Sequence, residues 1–268
     1  MIHAHGYEYA FMVFGLIQGG IVVVMALGMR GAPERLQAQR HEEQTRRDYE
    51  PGEVLRSPVF YLLYLLYVLV ASGGLTMAAS LAPIAKDLEV SDRLQLPGLE
   101  LPALTLAVSL NRTWDGAGRI FFGWISDRIG RELTIALAFI IAGCTLLMLE
   151  NNGSDPLGFI IVTTVYFAAY GQVFSLFPAT TADTFGARYA TANYGMLYTA
   201  KGTASLLVPV ATAVAHTHGW GPVFFFAMCC NVLAALLATM VLAPLRTRHF
   251  DQAAAGEPEV FQARRRRY

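Results

Sequence analysis

Charged side chains are scarce in this sequence, which excludes an ordinary water-soluble domain. Asp, Glu, Lys and Arg make up 15% of the 268 residues, whereas soluble domains carry about a quarter. Hydrophobic residues make up 54% of the chain, and they gather in runs of about 20 residues, the length that crosses a bilayer as a helix. The composition therefore predicts an all-α, polytopic membrane protein.

Cysteine is rare as well, and its placement excludes a disulfide framework. The three cysteines lie within apolar runs and lack the spacing of a metal site. The histidine pairs His3–His5 and His216–His218 could each hold a metal, but no further ligand lies nearby, so incidental surface histidines are the preferred interpretation. Because the sequence also lacks a phosphate-binding glycine loop, a nucleophile triad and a zinc motif, we expect no enzyme, no metal and no cofactor.

Seven apolar runs predict seven membrane spans, arranged in four successive parts of the chain. Residues 1–29 hold an outside N-terminus and the first span, 30–57 a polar cytoplasmic linker, 58–244 a bundle of six spans, and 245–268 a basic cytoplasmic tail. The predicted spans cover 9–29, 58–83, 102–125, 133–149, 157–178, 194–215 and 221–244.

The basic residues between the spans predict the orientation of the chain. One alternate set of connections holds fifteen of them, and the other set holds only Lys86 and Arg93. The basic set comprises 30–57, 126–132, 179–193 and 245–268. Because cytoplasmic connections carry the excess of Lys and Arg, we expect the N-terminus outside the inner (plasma) membrane and the C-terminus in the cytoplasm. The run Arg264–Arg267 could bind nucleic acid or anionic lipid, but a topogenic basic tail is preferred, so no nucleic-acid partner is expected.

A nine-residue pattern between the third and fourth spans carries a family resemblance. Residues 123–131 fit G-x-x-x-D-R-x-G-R through Gly123, Asp127, Arg128, Gly130 and Arg131. This pattern resembles a short cytoplasmic loop of the major facilitator superfamily, although an ordinary charged turn would also place arginines on this side. Glycine at position 130 suits a tight turn because it adopts backbone angles that are closed to other residues.

Two longer stretches are similar to the oxalate/formate antiporter family within that superfamily. Residues 109–119, together with the loop, resemble its eighth helix, and residues 192–204 resemble its eleventh. The resemblance covers essentially the whole chain but implies only helices six to twelve, with 30–57 as the central cytoplasmic loop. It therefore implies a partial major facilitator fold without the N-terminal half of the pseudo-symmetric pair.

Arg119 and Lys201 lie inside predicted spans, where a cation costs about 2.5–3.5 kcal/mol on insertion scales and is rarely present without a use. From the helical rise, they lie about 9 Å and about 10 Å above the cytoplasmic ends of their spans. The matched depth predicts one pocket for an anion. The family resemblance implies that this pair grips the carboxylates of oxalate, with Arg119 as a planar fork and Lys201 as a compact charge.

Arg112 and Asp115 accompany Arg119 on one face of the third span, at positions i, i+3 and i+7. Asp115 could pair with either arginine. For Arg112 and Asp115 themselves, a supporting ion pair without substrate contact is the preferred interpretation.

Aromatic residues recur at helical spacing in the fifth span. Tyr166, Tyr170 and Phe174 follow one another at intervals of four, and Tyr198 lies one turn before Lys201. An aromatic stripe by itself is more often packing. The resemblance implies that Tyr170, Phe174 and Tyr198 line the substrate pocket, with Tyr198 in place of the tryptophan that the family leads us to expect.

The sequence therefore favours a secondary transporter, or the C-terminal half of one, that exchanges small carboxylates of the oxalate and formate type by alternating access. Its expected partners are a small carboxylate anion, the lipid bilayer, and a missing N-terminal half or a second copy. The alternative is a non-transporting, truncated or partner-assembled membrane half. A seven-helix receptor would have the same span count and outward N-terminus, but it leaves the loop motif and the matched cations unexplained.

Overall fold

The computed structural model describes residues 2–28, 45, 47–90, 93–96 and 99–255. They fall into two units, Met1–Glu42 and Glu43–Tyr268. In the first unit, helix α1 (Ile2–Gly28) contains the apolar stretch Tyr7–Gly28, whose 22 residues are long enough to cross a membrane. Much of the predicted linker 30–57 and the basic run Arg264–Arg267 lie outside the described residues.

The second unit is a bundle of helices that follows the predicted spans closely. Its elements are α2 (Pro51–Val54), α3 (Pro58–Asp87), α4 (Ala103–Ile129), α5 (Arg131–Asn152), α6 (Pro156–Gly171), α7 (Val173–Phe185), α8 (Ala190–Ser205), α9 (Leu207–His218), α10 (Gly221–Leu237), a π-helical turn (Ala238–Leu242) and α11 (Ala243–Ala255). Between α3 and α4, the strands β1 (Arg93–Leu96) and β2 (Leu99–Pro102) form an antiparallel hairpin with Arg93 opposite Pro102. The sequence analysis predicted no strand in that connection.

Proline and glycine mark several helix boundaries. Pro58 and Pro156 lie in the first turns of α3 and α6, where the missing N–H of proline would have no helical partner anyway. Asp155 caps α6 by accepting a hydrogen bond of 2.7 Å from the Gly158 N–H. Gly130 ends α4 with φ at 91°, in the region that favours glycine, which is the behaviour predicted for the tight turn before α5.

Within the described part of the chain, five segments are long and apolar enough to cross a membrane: Tyr7–Gly28, Pro58–Asp87, Arg131–Asn151, Pro156–Phe185 and Gly221–Asp251. The other two predicted spans are also helical, the third as α4 and the sixth as α8 followed by α9. Neither is both long and apolar enough to be recognised as a membrane span. Helix α4 carries three charged residues within eight positions, and α8 carries Lys201 among small polar residues and is interrupted at Leu206. The third and sixth spans are thus those that supply Arg119 and Lys201, the two cations of the predicted anion pocket.

The residues just before α2 connect the C-terminal end of α7 to the N-terminal end of α8. The Tyr49 N–H donates to the Phe185 carbonyl at 2.9 Å, and the Asn193 side-chain amide donates to the Tyr49 carbonyl at 3.1 Å. The Asp48 carboxylate accepts a hydrogen bond from the Arg188 N–H at 3.1 Å. Burial raises the pKa of the Tyr49 phenol above its ordinary value, so this side chain is neutral at physiological pH.

Helix α4 packs against α6 at a separation that requires glycine. A Cβ atom at Gly118 would lie 2.1 Å from the carbonyl oxygen of Ala168, and one at Gly171 would lie 2.2 Å from the carbonyl oxygen of Asp115. Small residues allow membrane helices to approach closely in this way. The two glycines therefore fix how α4, with its charged residues, sits on α6.

Replacing Gly118 by alanine is expected to destabilise the bundle by about 1–3 kcal/mol, because the new methyl group would have to push α4 away from the backbone of α6. Gly116 provides the matched control, since a Cβ atom there would meet no atom of the described residues within 4 Å. Thermal unfolding of the purified protein in detergent should show a lower midpoint for Gly118→Ala and an unchanged midpoint for Gly116→Ala. Equal midpoints for the two variants would contradict the close contact.

Candidate functional site

The two predicted cations meet at one aromatic ring. The guanidinium carbon of Arg119, from α4, lies 4.8 Å from the centre of the Phe174 ring on α7. The ammonium of Lys201, from α8, lies 4.9 Å from the same centre. Both distances are within the range of a cation–π interaction, which is strengthened where water is excluded. The fold therefore brings Arg119 and Lys201 together from helices that are distant in sequence.

Two tyrosines extend the aromatic surface around Phe174. The Tyr170 ring meets the Phe174 ring edge-on with centroids 5.7 Å apart, and the centroid of the Tyr198 ring lies 6.5 Å from that of Phe174. Lys201 donates a hydrogen bond of 3.2 Å to the Tyr198 hydroxyl. Of the three aromatic residues that the resemblance implied as pocket-lining, Phe174 contacts both cations, Tyr198 contacts Lys201, and Tyr170 packs against Phe174.

Asp115 pairs with Arg119 and not with Arg112, the partner preferred in the sequence analysis. The Arg119–Asp115 contact measures 2.9 Å at an i, i+4 spacing, which brings side chains together on a helix. Arg112 lies instead beside α6, with its guanidinium carbon 5.8 Å from the centre of the Phe167 ring. The Nε of Arg119 is buried and has no hydrogen-bond partner in the described part of the chain.

The site carries an excess of positive charge. Asp115 is the carboxylate that pairs with Arg119, whereas Lys201 has no carboxylate partner among the described residues, only the Tyr198 hydroxyl. An ammonium without a counter-ion is costly in surroundings of low polarity, and a bound anion would offset that cost. The arrangement of Arg119, Lys201 and Phe174 therefore suits a small anion with an apolar or planar face.

Further aromatic residues support this surface, although the sequence analysis did not select them. Tyr67, on α3, is fully buried and meets the Tyr198 ring edge-on at 6.2 Å, and Tyr194 lies 5.7 Å from the same ring. The Tyr170 ring packs directly against the backbone of Gly74, since a Cβ atom at Gly74 would lie 2.1 Å from that ring. The Gly73–Gly74 pair in an apolar run was the available signal for such a close contact.

Gln172 is a further residue that the sequence analysis did not select. It is fully buried at the break between α6 and α7, between Tyr170 and Phe174 in sequence. Neither its amide nitrogen nor its amide oxygen has a hydrogen-bond partner in the described residues. Buried amides are normally satisfied, so an unsatisfied one beside the site is notable. The only sequence signal was a single amide within the predicted span 157–178.

The loop motif ties the turn between α4 and α5 to α7. Arg131 donates from Nε to the Asp183 carboxylate at 2.9 Å, and from Nη1 to Ser126 at 2.8 Å and to Asp127 at 3.0 Å. Arg128 lies over the Trp124 ring at 3.5 Å. At the motif's first position, a Cβ atom on Gly123 would meet no atom within 4 Å in the described part of the chain, so packing against the described residues does not require that glycine. Within the motif, Arg131 therefore links the turn between α4 and α5 to the C-terminal part of α7.

The chain is similar to known proteins over most of its length. The model of the Major Facilitator Superfamily matches residues 1–209. The oxalate:formate antiporter of Oxalobacter formigenes is 32% identical over 244 residues, which are 90% of this chain and 56% of that protein. An uncharacterised transporter of the same superfamily from Escherichia coli (strain K12) is 23% identical over 206 residues, 77% of this chain and 49% of that protein.

A third relative is an uncharacterised 38 kDa protein from Thermoproteus tenax, 32% identical over 188 residues, which are 69% of this chain and 45% of the relative. The chain thus spans about half the length of the curated relatives that it matches.

Proposed function

Because the chain belongs to the major facilitator superfamily, we propose that it is a secondary transporter, or the C-terminal half of one, for small carboxylates of the oxalate and formate type. The similarity to an oxalate:formate antiporter supports this substrate class. The observation that carries the proposal is the convergence of Arg119 and Lys201 on the Phe174 ring, with Lys201 lacking a carboxylate partner in the described chain.

A dicarboxylate has the chemistry to bridge these two cations. Arg119 keeps donors free beyond its bond to Asp115, including the unpartnered Nε, and its planar fork suits one carboxylate group. The Lys201 ammonium would receive the other group as a compact charge. Bound between them, the anion would screen the two cations from each other and lower the cost of closing a cavity around them.

The described site is open on one side. The Arg119 side chain is 42% exposed and Tyr198 is 39% exposed, so neither is covered as a substrate-gripping residue should be during transport. Transporters of this architecture bind substrate between two helical bundles that rock about it. We therefore propose that a second set of helices closes over Arg119 and Lys201. The alternative function, a membrane half that binds but does not transport without a partner, is favoured by the same exposure.

Oxalate binding and oxalate–formate exchange together test the proposal. The purified protein should bind oxalate saturably by isothermal titration calorimetry at constant ionic strength. Proteoliposomes loaded with formate then distinguish the two functions: uptake of labelled oxalate would identify a working transporter, and binding without uptake would identify a half that needs a partner. Absence of saturable oxalate binding by the folded protein would contradict both.

The charge asymmetry of the sequence supports an orientation with the connection between α3 and α4 outside and the connection between α7 and α8 in the cytoplasm. Single cysteines at Gln95 and Arg188, in a background without the three native cysteines, test it. An impermeant maleimide should label Gln95→Cys in intact cells, and it should label Arg188→Cys only after the membrane is permeabilised. The reverse pattern would refute the proposed orientation.

A further inference from the structure

A small cavity lies along α4, about two turns from Arg119. It has a volume of about 180 Å³ and is bounded by Ala78 and Ala82 on α3, by Val108, Asn111 and Arg112 on α4, and by Phe167 on α6. Pockets for drug-sized ligands measure about 300–1,000 Å³, so this one suits a much smaller molecule. Arg112 precedes Arg119 by seven residues, which places the two side chains about 10 Å apart along the helix axis.

Arg112 supplies this cavity with a charge that has no counter-ion. The side chain is exposed and lies beside the Phe167 ring, and it forms no ion pair with any described residue. The nearby carboxylate of Asp115 is committed to Arg119. Among the described residues that line the cavity, Arg112 is the one charged side chain. A cation in mostly apolar surroundings favours the approach of an anion.

Asn111 adds a buried donor to the same cavity. The side chain is 1% exposed, and its carbonyl oxygen accepts a hydrogen bond of 3.2 Å from the Thr164 hydroxyl. The amide nitrogen remains buried without a partner in the described chain. A buried N–H donor that is left unsatisfied destabilises the protein, and a ligand that accepts a hydrogen bond from it would remove that cost.

We propose that Arg112 and Asn111 form a second binding site for a small carboxylate anion, separate from the Phe174 site. The Arg112 guanidinium supplies the charge, the Asn111 amide supplies a fixed donor, and the apolar wall of Ala78, Val108 and Phe167 excludes larger polar ions. The site lies towards the N-terminal end of α4, which is the outer side in the orientation proposed above. It would hold an incoming anion before it reaches Arg119.

The inference rests on the proposed function for the class of its ligand, but the two are tested separately. Isothermal titration of the purified protein with sodium oxalate, at constant ionic strength, should resolve two binding events. Arg112→Gln should weaken one of them ten- to a hundredfold, because it removes a charged hydrogen bond and keeps a polar side chain. Asn111→Leu should weaken the same event, and Lys201→Ala should weaken only the other.

Arg188→Gln is the matched control. Arg188 is also an exposed arginine beside an aromatic ring, with its guanidinium carbon 5.4 Å from the centre of the Tyr189 ring, and it lies outside both sites. Its titration should equal that of the unaltered protein. Thermal unfolding of each variant identifies any that fails to fold. In that case, Arg112→Lys provides the second measurement, because it keeps the charge and should weaken the event less than Arg112→Gln.

The outcomes separate the two proposals. An oxalate-binding event that is unchanged in Lys201→Ala and weakened or lost in Arg112→Gln supports the second site. It does so even if the Phe174 site binds no oxalate in the isolated chain. Oxalate binding that Lys201→Ala removes and Arg112→Gln leaves unchanged overturns the second site and upholds the proposed function. Absence of any oxalate binding overturns both.

Discussion

Replacing Lys201 by alanine should weaken oxalate binding roughly ten- to a hundredfold and abolish oxalate exchange wherever the unaltered protein carries it out. The ammonium lies 4.9 Å from the centre of the Phe174 ring, without a carboxylate partner in the described chain, so its charge is available to a ligand. A hydrogen bond to a charged group contributes about 1.5–3 kcal/mol, which is the origin of the expected change in affinity. Calorimetric titration with oxalate measures it.

Lys86 is the control for that substitution, because it is the other lysine of the chain and is exposed in the last turn of α3. Lys86→Ala should bind oxalate as the unaltered protein does. Arg119→Lys should lose binding to a similar degree as Lys201→Ala, since it keeps the charge but loses the planar fork. If Lys201→Ala were folded and bound oxalate normally, the two cations would be structural and the assigned site would be wrong.

Replacing Glu132 by leucine should destabilise the protein by about 3 kcal/mol, although Glu132 lies far from the proposed substrate. Its carboxylate pairs with Arg246, whose side chain is only 3% exposed and also donates to the Thr184 hydroxyl at 2.8 Å. Removing one partner of a buried ion pair leaves a desolvated charge without compensation, which costs about 3–5 kcal/mol. The lower end of that range applies because Glu132 keeps 19% of its side chain exposed. Thermal unfolding in detergent measures the loss.

The double variant Glu132→Leu with Arg246→Met should be more stable than Glu132→Leu alone, because an apolar pair of similar volume removes the stranded charge. Arg47→Met is the control. It breaks an ion pair with Glu53 in which the two side chains are 56% and 41% exposed, and such surface pairs contribute no more than about 1 kcal/mol. A double variant as unstable as the single one would show that Arg246 is stabilised by groups other than Glu132.

Helix placement in this protein follows from local features of the sequence. The apolar runs beginning at Pro58 and Pro156 became α3 and α6, and the loop glycine at 130 adopted the backbone conformation expected of it. These features could be predicted because bilayer thickness, the proline ring and glycine's missing side chain act on neighbouring residues only. The interruption at Gln172 was missed because a single amide hardly alters the hydropathy of a long apolar run.

Within the site, the sequence by itself determined which residues were candidates. A cation within an apolar helix is costly enough to single out Arg119 and Lys201 without any neighbours, and the family resemblance added Tyr170, Phe174 and Tyr198. Helical periodicity placed Arg112, Asp115 and Arg119 on one face, but the preferred pairing of Asp115 with Arg112 was wrong, since periodicity allows either arginine.

Only the tertiary structure decided how those candidates are used. Packing of α4 on α6 through Gly118 places Arg112 beside Phe167, and Asp115 forms its ion pair with Arg119. Packing of α7 between α4 and α8 makes Phe174 the common neighbour of both cations. Spacing along one helix determines which side chains share a face. Which other helix packs against that face depends on contacts between residues far apart in the chain, and a local sequence pattern does not contain this information.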